Sequence, residues 1–206
     1  VIDCNERHVN NLIKNCINSK AKMDKIITEI IIPTIPHIQK LFDDGKIGKS
    51  EEQLMTGIIS NSLQMITYHA GHSDSGKNII ILSADSESIL SSESAAAAFR
   101  SQNWNVFSIG DISSSIDVLF DLELRKLLSK TWKSKEGVMI VLVFSQTEEG
   151  LKFISDSFYS VKEKSENNLF IVLSGKTGKK VKIKGDLSAS KLEDILQWSN
   201  TKYENS

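Results

Sequence analysis

The first residues that could do chemistry lie in a run of small and acidic side chains, SADSESILSSES, at Ser83–Ser94. The run follows GKNIIIL, which is typical of a buried strand, and precedes AAAAFRSQ, which is typical of a helix. In an open parallel sheet, ligands bind where strands end and helices begin. Asp85 and Glu87 could contact a ligand there. Because Asp, Ser and Glu are favoured at helix N-termini, capping or solvation of these two carboxylates is the simpler interpretation.

The loop contains neither of the glycine patterns that bind phosphate. GxGxxG and GxxxxGK[ST] are both absent, and the two carboxylates would repel phosphate, which argues against dinucleotides and nucleoside triphosphates. A second stretch, SGKTGKK at Ser174–Lys180, is glycine-rich and basic and could bind an anion. A solvated turn after a strand is the simpler interpretation of it.

No catalytic or metal-binding set suggests itself among the nucleophilic and ligating residues. The two cysteines fall on or beside an apolar face, where cysteine acts as a small hydrophobe, and the four histidines are scattered or too few for a metal site. These residues are Cys4, Cys16, His8, His37, His69 and His72. We therefore predict a protein that is not an enzyme, with no catalytic residue and no metal site.

Composition excludes several further classes. The chain has 206 residues, of which 25% are charged and 40% apolar, as in soluble globular domains, and it is long enough for one large domain or two small ones. A net charge of -1 gives no overall field for DNA or an anionic membrane. No apolar run approaches the ~20 residues that span a bilayer. Two cysteines without CxxC spacing fit a reducing, cytoplasmic setting. Because the chain begins with Val1 rather than Met, the presence of a further domain before it stays open.

The first third of the chain has the three-and-four apolar spacing of amphipathic helices. Two adjacent helices are predicted, the second of which bends near Pro33 and Pro36 because proline removes a backbone donor. Ser50 is predicted to cap a third helix, with Gln53 three residues on completing a capping box.

From Asn78 onward, short apolar runs alternate with helical stretches. The predicted strands are NIIIL, NVFSI, VMIVLVF, LFIVL and the weaker VKIKG. The predicted connecting helices are Ser92–Gln102, Ile116–Lys130, Thr147–Lys164 and Ser190–Ser199. Runs that are apolar on both faces predict a parallel sheet covered on both sides, with Ile79–Leu82 and Val138–Phe144 central.

The predicted fold class is α/β, an N-terminal helical bundle followed by a flavodoxin-like, or Rossmann-like, doubly wound parallel sheet. The predicted domains are a helical cap of residues 1–74 and a sheet domain of residues 75–206, joined by a hinge at His69–Lys77.

This order of elements resembles the two-domain cobalamin-binding module of corrinoid methyl carriers and of the sensor part of MerR-type regulators. The helical half of that family has an Ile-Pro-type helix and a tryptophan followed ten residues later by Glu-His. The stretch IIPTIPHIQKLFDDGKIGKSEEQLMTG is similar to this layout. The resemblance puts Phe42 at the tryptophan position, Glu52 at the glutamate and Gln53 at the histidine.

The family's second half has a strand, the motif Glu/Asp-x-His-x-x-Gly, a helix, and a strand that ends in Leu-Gly. The stretch SADSESILSSESAAAAFRSQNWNVFSIG keeps this spacing. The resemblance puts Ser86 at the acidic position, Ser88 at the histidine, Ser91 at the glycine and Gly110 at the strand end. Further along, Ser145 resembles the serine that meets the nucleotide tail of the corrinoid, and Ser174-Gly175 resembles the family's Gly-Gly.

The departures from this pattern limit what the resemblance implies. The family's histidine gives cobalt an imidazole ligand whose other ring nitrogen is held by the acidic residue. Ser88 offers only a hydroxyl, a poor ligand for cobalt, and Ser91 adds a side chain where the corrin edge would pass. Gln53 lacks the imidazole that lies near the upper face in the sensors. Cobalamin, where it binds, is therefore expected to lack a histidine ligand, and no other cofactor is expected.

We predict a non-enzymatic sensory or regulatory module. Its cleft is empty, holds a corrinoid without histidine ligation or holds another small ligand, and it acts through a shift of the helical cap or of contacts in a homo-oligomer. DNA, in a role in transcription regulation, would be contacted only through a domain outside this chain, and no membrane contact is expected. Two alternatives stay open, a corrinoid carrier subunit of a methyltransferase and a pure protein-interaction domain.

Overall fold

The computed structural model describes residues 5–71, 73–115, 120–162, 167–175 and 183–206. The helical half consists of α1 (Glu6–Asn18), α2 (Met23–Ile26), a π-helical turn (Ile27–Ile31), α3 (Ile32–Asp43) and α4 (Lys49–Tyr68). The second half consists of β1 (Asp74–Ser83), α5 (Ile89–Ser101), β2 (Trp104–Asp111), α6 (Phe120–Thr131), β3 (Val138–Ser145), α7 (Glu148–Val161), β4 (Leu169–Gly175), β5 (Leu187–Ser188) and α8 (Leu192–Glu204). Short 3-10 turns at Ser86–Ser88 and Ser113–Ser115 follow β1 and β2.

The helical irregularity predicted near the two prolines lies just before them, in the π-helical turn that leads into α3. Pro33 falls in the first turn of α3, where a missing N–H is tolerated, and Pro36 lies inside the helix. The predicted cap of the next helix is wrong. α4 begins at Lys49, so Ser50 already lies in its first turn and cannot be the N-cap. The N-cap is Gly48, whose N–H donates to the Glu51 carboxylate at 2.8 Å.

The sheet is parallel throughout, with the strand order β2-β1-β3-β4-β5. This is the flavodoxin-like order, and it confirms the predicted fold class and the interior positions of β1 and β3. The fifth predicted strand is wrong. Ile183–Gly185 form no strand, and Leu187–Ser188 pair with β4 instead, while Val181 and Lys182 lie outside the described residues. The predicted hinge is shorter than expected because β1 already begins at Asp74.

The helical half and one face of the sheet share a single apolar core. Alternate strand residues such as Ile79 and Ile81 pack with α5, α8 and the buried isoleucines of the first four helices. Their neighbours Ile80 and Leu82 face the opposite layer, which is formed by α6 and α7. The position of the helical half is therefore coupled to α5 and the sheet. The division at residues 74 and 75 stays a prediction.

Within the described ranges, no helix is both long and apolar enough to cross a membrane.

Candidate functional site

The carboxyl end of β1 is held to the carboxyl end of β3 by the side chain of Asp85. One carboxylate oxygen accepts the Ser88 N–H at 2.9 Å and so caps the turn that begins α5. The other accepts the Ser145 hydroxyl and the Gln146 N–H, both at 2.7 Å. The capping interpretation of Asp85 is thus correct, and the same carboxylate also fixes the loop after β3. Glu87, two residues on, is exposed.

The hydrogen bonds of Asp85 favour its ionised form. Burial works to raise the pKa of this carboxyl, but the donors around it outweigh burial and hold the pKa below its ordinary value. Ser145 and the backbone N–H groups of Gln146 and Ser88 supply those donors. The Ser88 hydroxyl also lies near the carboxylate and adds to the lowering, in a geometry that falls short of a hydrogen bond. Asp85 therefore has a structural role, since both of its carboxylate oxygens already accept hydrogen bonds from the protein.

Four predicted site residues line a cavity of about 340 Å³ between α3 and the carboxyl edge of the sheet, which we call the strand-end cavity. They are Ser88 and Ser91 at the start of α5 and Ser174 and Gly175 at the end of β4. Gly175 has no side chain for a steric reason, since a Cβ there would overlap the carbonyl oxygen of Ser145. The polar wall of this cavity is neutral and rich in hydroxyl groups.

Four more predicted residues line a second cavity of about 480 Å³, which we call the cap cavity. They are Phe42, Glu52, Gln53 and Ser86. The Glu52 carboxylate pairs with Lys49 at 2.5 Å, and the Lys49 ammonium lies 5.1 Å from the centre of the Phe42 ring. Glu52 thus has a cation of its own, whereas the exposed Glu87, which lines the same cavity, has no ion pair within the described chain.

One apolar residue that the sequence interpretation did not single out separates these two cavities. Ile35 of α3 lines both of them. α3 therefore divides the cleft between the helical half and the sheet into two smaller spaces. A hydrophobic residue in a periodic apolar stripe carries no sequence signal for such a role.

Two predicted site residues line neither cavity. Gly110 lies in the edge strand β2 with φ +80°, beside the register shift where Leu82 pairs with it. Ser145 is fully buried, and its hydroxyl donates to Asp85. Gly110 thus allows the backbone of β2 to adopt a positive φ, and the Ser145 hydroxyl is engaged with Asp85.

The position that the resemblance gives to the cobalt-ligating histidine does not fit that role. Ser88 is 1% exposed and lines the strand-end cavity, and its hydroxyl makes no hydrogen bond to any residue that the structure describes. No histidine is among the residues that line either cavity. A corrinoid in this cleft would find no imidazole at Ser88.

The remaining reactive residues lie away from both cavities or outside the described part of the chain. Cys4, His72 and the basic residues of the 176–182 segment lie outside the described residues. Cys16 is partly buried against the helical core, and His8 is exposed. In the described ranges, no three His, Cys, Asp or Glu side chains cluster as metal ligands would.

No protein-family model matches the sequence, and no curated protein matches it. Among solved structures, the monomethylamine corrinoid protein of Methanosarcina barkeri aligns with a TM-score of 0.70, over 100% of this chain and 94% of that chain, at 14% identity. A novel cobalamin-binding protein from Desulfitobacterium hafniense DCB-2 aligns at 15% identity over 98% of this chain and 94% of its own, with a TM-score of 0.43. The methanol:cobalamin methyltransferase complex MtaBC from Methanosarcina barkeri aligns at 12% identity over 100% and 77%, with a TM-score of 0.44.

The likeness to the monomethylamine corrinoid protein shows that this chain has the fold of a corrinoid protein over its whole length. The resemblance that the sequence predicts is confirmed at that level. The two weaker likenesses are too slight to argue from.

Proposed function

We propose that this chain is a non-enzymatic regulatory module with the fold of a corrinoid protein, in which the cobalt-ligating position has been lost. The observation that carries the proposal is Ser88, a buried serine at the base of the cleft. The Asp85 carboxylate, through its hydrogen bonds to Ser88, Ser145 and Gln146, forms what we call the Asp85 clamp and fixes the backbone of Ser88. The turn therefore lines the cleft, but it lacks the cobalt-ligating histidine that the family resemblance implies. A hydroxyl is a poor donor to cobalt compared with a neutral imidazole.

The described histidines support the same conclusion by their positions. His69 caps the C-terminus of α4, just before β1 begins, and β1 is ten residues long. At about 3.3 Å per residue, the regularly paired part of that strand, from Lys77 to Ser83, puts roughly 20 Å between His69 and the turn at Ser88. His37 is exposed in α3, next to Pro36, which lines the strand-end cavity. His37 is thus the described histidine that an experiment has to test.

A regulatory output is supported by the way the two halves pack. α3 lines both cavities through Ile35, and the first four helices share their core with α5 and the sheet. A ligand larger than either cavity must displace α3, and that displacement would be transmitted through the shared core to the surface of the helical half. A homo-oligomer contact on the surface of the helical half would change in the same way when a ligand displaces α3.

The second candidate is a corrinoid carrier subunit of a methyltransferase. It is supported by the fold likeness to the monomethylamine corrinoid protein. In that role cobalt itself does the chemistry and the protein supplies an axial ligand and orientation. Ser88 and Gln53 weigh against it, because neither side chain is an imidazole.

Titration with hydroxocobalamin tests the loss of the ligand. We compare wild type with Ser88→His, with the triple variant S86D/S88H/S91G, and with the matched double variant S86D/S91G that restores the flanking positions only. We expect weak binding or none in wild type, without the absorbance change of imidazole ligation, and a gain of that change only in variants that carry the histidine.

His37→Gln is the matched control for an alternative ligand. Tight binding of hydroxocobalamin by wild type with imidazole-type absorbance would overturn the proposal and favour the carrier. Loss of that absorbance in His37→Gln would then identify the ligand.

The regulatory part is tested by amide hydrogen exchange. In the triple variant loaded with hydroxocobalamin, we expect the exchange of amides in α3 and α4 to change relative to the unloaded protein. Unchanged exchange in both helices, with the corrinoid bound, would contradict a cap-mediated output.

A further inference from the structure

A third cavity, of about 360 Å³, lies between α4 and α5 beside the edge strand β2, and we call it the α4–α5 groove. The polar groups that matter in it are Gln64, Thr67 and Tyr68 of α4, Glu93 and Arg100 of α5, and Ser108 of β2. None of these six residues lines the strand-end cavity or the cap cavity. The groove therefore adjoins the cap cavity at Ser60, which lines both, while its other polar residues belong to the groove alone, and nothing said of it depends on the proposed function.

The pairing of the two helices fixes an acidic end and a basic end of the groove. The Ser60 hydroxyl donates to the Glu93 carboxylate at 2.5 Å. α4 precedes β1 and α5 returns after it, so the two helices run in the same direction. Two turns further along each helix, Thr67 comes beside Arg100, about 10 Å from the first pair.

Arg100 is the unusual group in this groove. Its side chain is partly buried, and burial lowers the pKa of its guanidinium. Among the hydrogen bonds and ion pairs of the described chain, none involves its side chain. A guanidinium carries five N–H donors in a planar fork that matches a carboxylate or a phosphate. A partly desolvated cation without a partner is costly, and an anion that enters the groove would relieve that cost.

Arg100 also lies in the last turn of α5, where a cation offsets the partial negative charge of the helix carbonyls. That effect needs no groove and leaves the donors of the fork unpaired. Glu93, at the far end, lies about 10 Å from Arg100 along α5, and its carboxylate accepts the Ser60 hydroxyl and makes no ion pair with the guanidinium.

Tyr68 supplies a flat apolar surface at the basic end. Its side chain is 87% exposed, and its ring stands edge-on to the His69 ring at 5.6 Å between centres. An aromatic ring this exposed at the rim of a cavity can stack on a planar ligand. Thr67, Gln64 and Ser108 add neutral hydrogen-bonding groups around it.

We propose that the α4–α5 groove binds a small molecule that carries a carboxylate or phosphate group on a planar body, with the anionic group on Arg100 and the planar body against Tyr68. The volume of the groove suits a ligand of metabolite size.

The test uses the side-chain NMR signals of arginine. The chain contains three arginines, Arg7, Arg100 and Arg125, so a protein labelled with ¹⁵N-arginine has three Nε–H signals. We titrate it with benzoate and phenyl phosphate, and with acetate and inorganic phosphate as matched anions that lack the ring. We expect the Arg100 signal alone to shift and saturate, at concentrations at least ten times lower for the probe with a ring than for its matched anion.

The stronger of the two ring-bearing probes decides between a carboxylate and a phosphate ligand. Arg100→Lys keeps the charge but loses the fork, and should weaken that probe at least tenfold, whereas Arg7→Lys should not change its binding. Tyr68→Ala should reduce the ring-bearing probes to the level of acetate and inorganic phosphate. The proposal is overturned if no probe shifts the Arg100 signal, or if all three arginine signals drift together without saturation, as added salt alone would cause.

Discussion

The cleft at the carboxyl edge of the sheet and the α4–α5 groove present opposite chemistry. In the cleft, the carboxylate of Asp85 is fully engaged with Ser88, Ser145 and Gln146, and the Glu52 carboxylate has Lys49. In the groove, the charged group of Arg100 has no partner in the described chain. Glu87 also lines the cap cavity without an ion pair in the described chain, but it is exposed to solvent, whereas Arg100 is partly buried.

The difference shows that the region marked by a family resemblance and the cavity that holds a charge without a partner need not coincide. In the cleft, the carboxylate of Asp85 holds the turn at Ser88 and the loop after β3 in place, and so it stabilises the protein. An unsatisfied charge in a cavity is the more direct physical indicator of a missing partner, because the structure must otherwise bear its desolvation cost.

Among substitutions in the cleft and the groove, Asp85→Ala is expected to have the largest effect on stability. The substitution removes an N-cap and takes the charged acceptor away from the Gln146 N–H and from the buried Ser145 hydroxyl, which keeps the Thr147 carbonyl oxygen at 3.0 Å. A lost N-cap costs about 1 kcal/mol and hydrogen bonds to a charged group about 2 kcal/mol, so we expect about 3 kcal/mol from urea unfolding.

Glu87→Ala is the matched control for that substitution, since Glu87 lies on the same turn and is exposed. It should change the free energy of unfolding by less than about 0.5 kcal/mol. Equal effects of the two substitutions would show that the Asp85 clamp contributes nothing particular, and the contrast between cleft and groove would fail.

Acid titration should expose the same clamp. The pKa of Asp85 is lower in the folded protein than its ordinary value of 3.8. Its contribution to stability is therefore fully present above the unfolded pKa and is lost as the pH falls through the lower, folded pKa. Asp85→Asn removes this share, so its stability should fall less steeply than that of wild type below about pH 4.

The lowered pKa values of Asp74 and Asp121 remain in both proteins and provide the common background of that titration. Urea unfolding at a series of pH values measures the two slopes. Parallel slopes for wild type and Asp85→Asn would contradict the structural role of the ionised carboxylate.

Local patterns predicted most of the fold because the sheet buries both faces. The runs around Ile79–Leu82 and Val138–Phe144 are apolar at every position, and only an interior parallel strand needs that. The run VKIKG misled because alternating lysine and apolar residues also fit an edge strand, whereas β4 pairs with Leu187–Ser188. Which of two runs pairs with β4 is decided by tertiary packing, which the local sequence pattern does not contain.

The family resemblance named ten site residues, of which eight line the two cavities. The contacts that fix the turn at Ser88 and divide the cleft could not be predicted from the sequence, because they join residues that are far apart in the chain. Asp85 reaches Ser145 across 60 residues of chain, and Ile35 enters the cleft from the other half. The same limit hid the groove, where Ser60 and Glu93 meet only in the folded state.

A smaller effect is expected for Phe42→Ala at the mouth of the cap cavity. Phe42 is only partly buried and borders open space, so its removal enlarges an existing cavity. We expect a loss of about 1 kcal/mol, compared with about 4 kcal/mol for Phe99→Ala, whose ring is fully buried. Urea unfolding of both variants measures the difference. A loss of 3 kcal/mol or more for Phe42→Ala would mean that the ring is a core residue of the helical half and that the cap cavity is closed in solution.

The smallest effect is expected for Arg100→Met, which removes the charge while keeping a long side chain of similar helix propensity. The cation has no partner in the described chain to lose, and the desolvation that its removal relieves opposes the lost interaction with the helix end. We therefore expect the free energy of unfolding to change by less than about 1 kcal/mol.

Added benzoate or phenyl phosphate should then stabilise wild type in a concentration-dependent manner and leave Arg100→Met unaffected, because only a ligand that binds the folded state shifts the unfolding equilibrium. Destabilisation by 2 kcal/mol or more without added anion would show that the guanidinium has a structural role like that of Asp85. The groove and the cleft would then be two regions of the same kind.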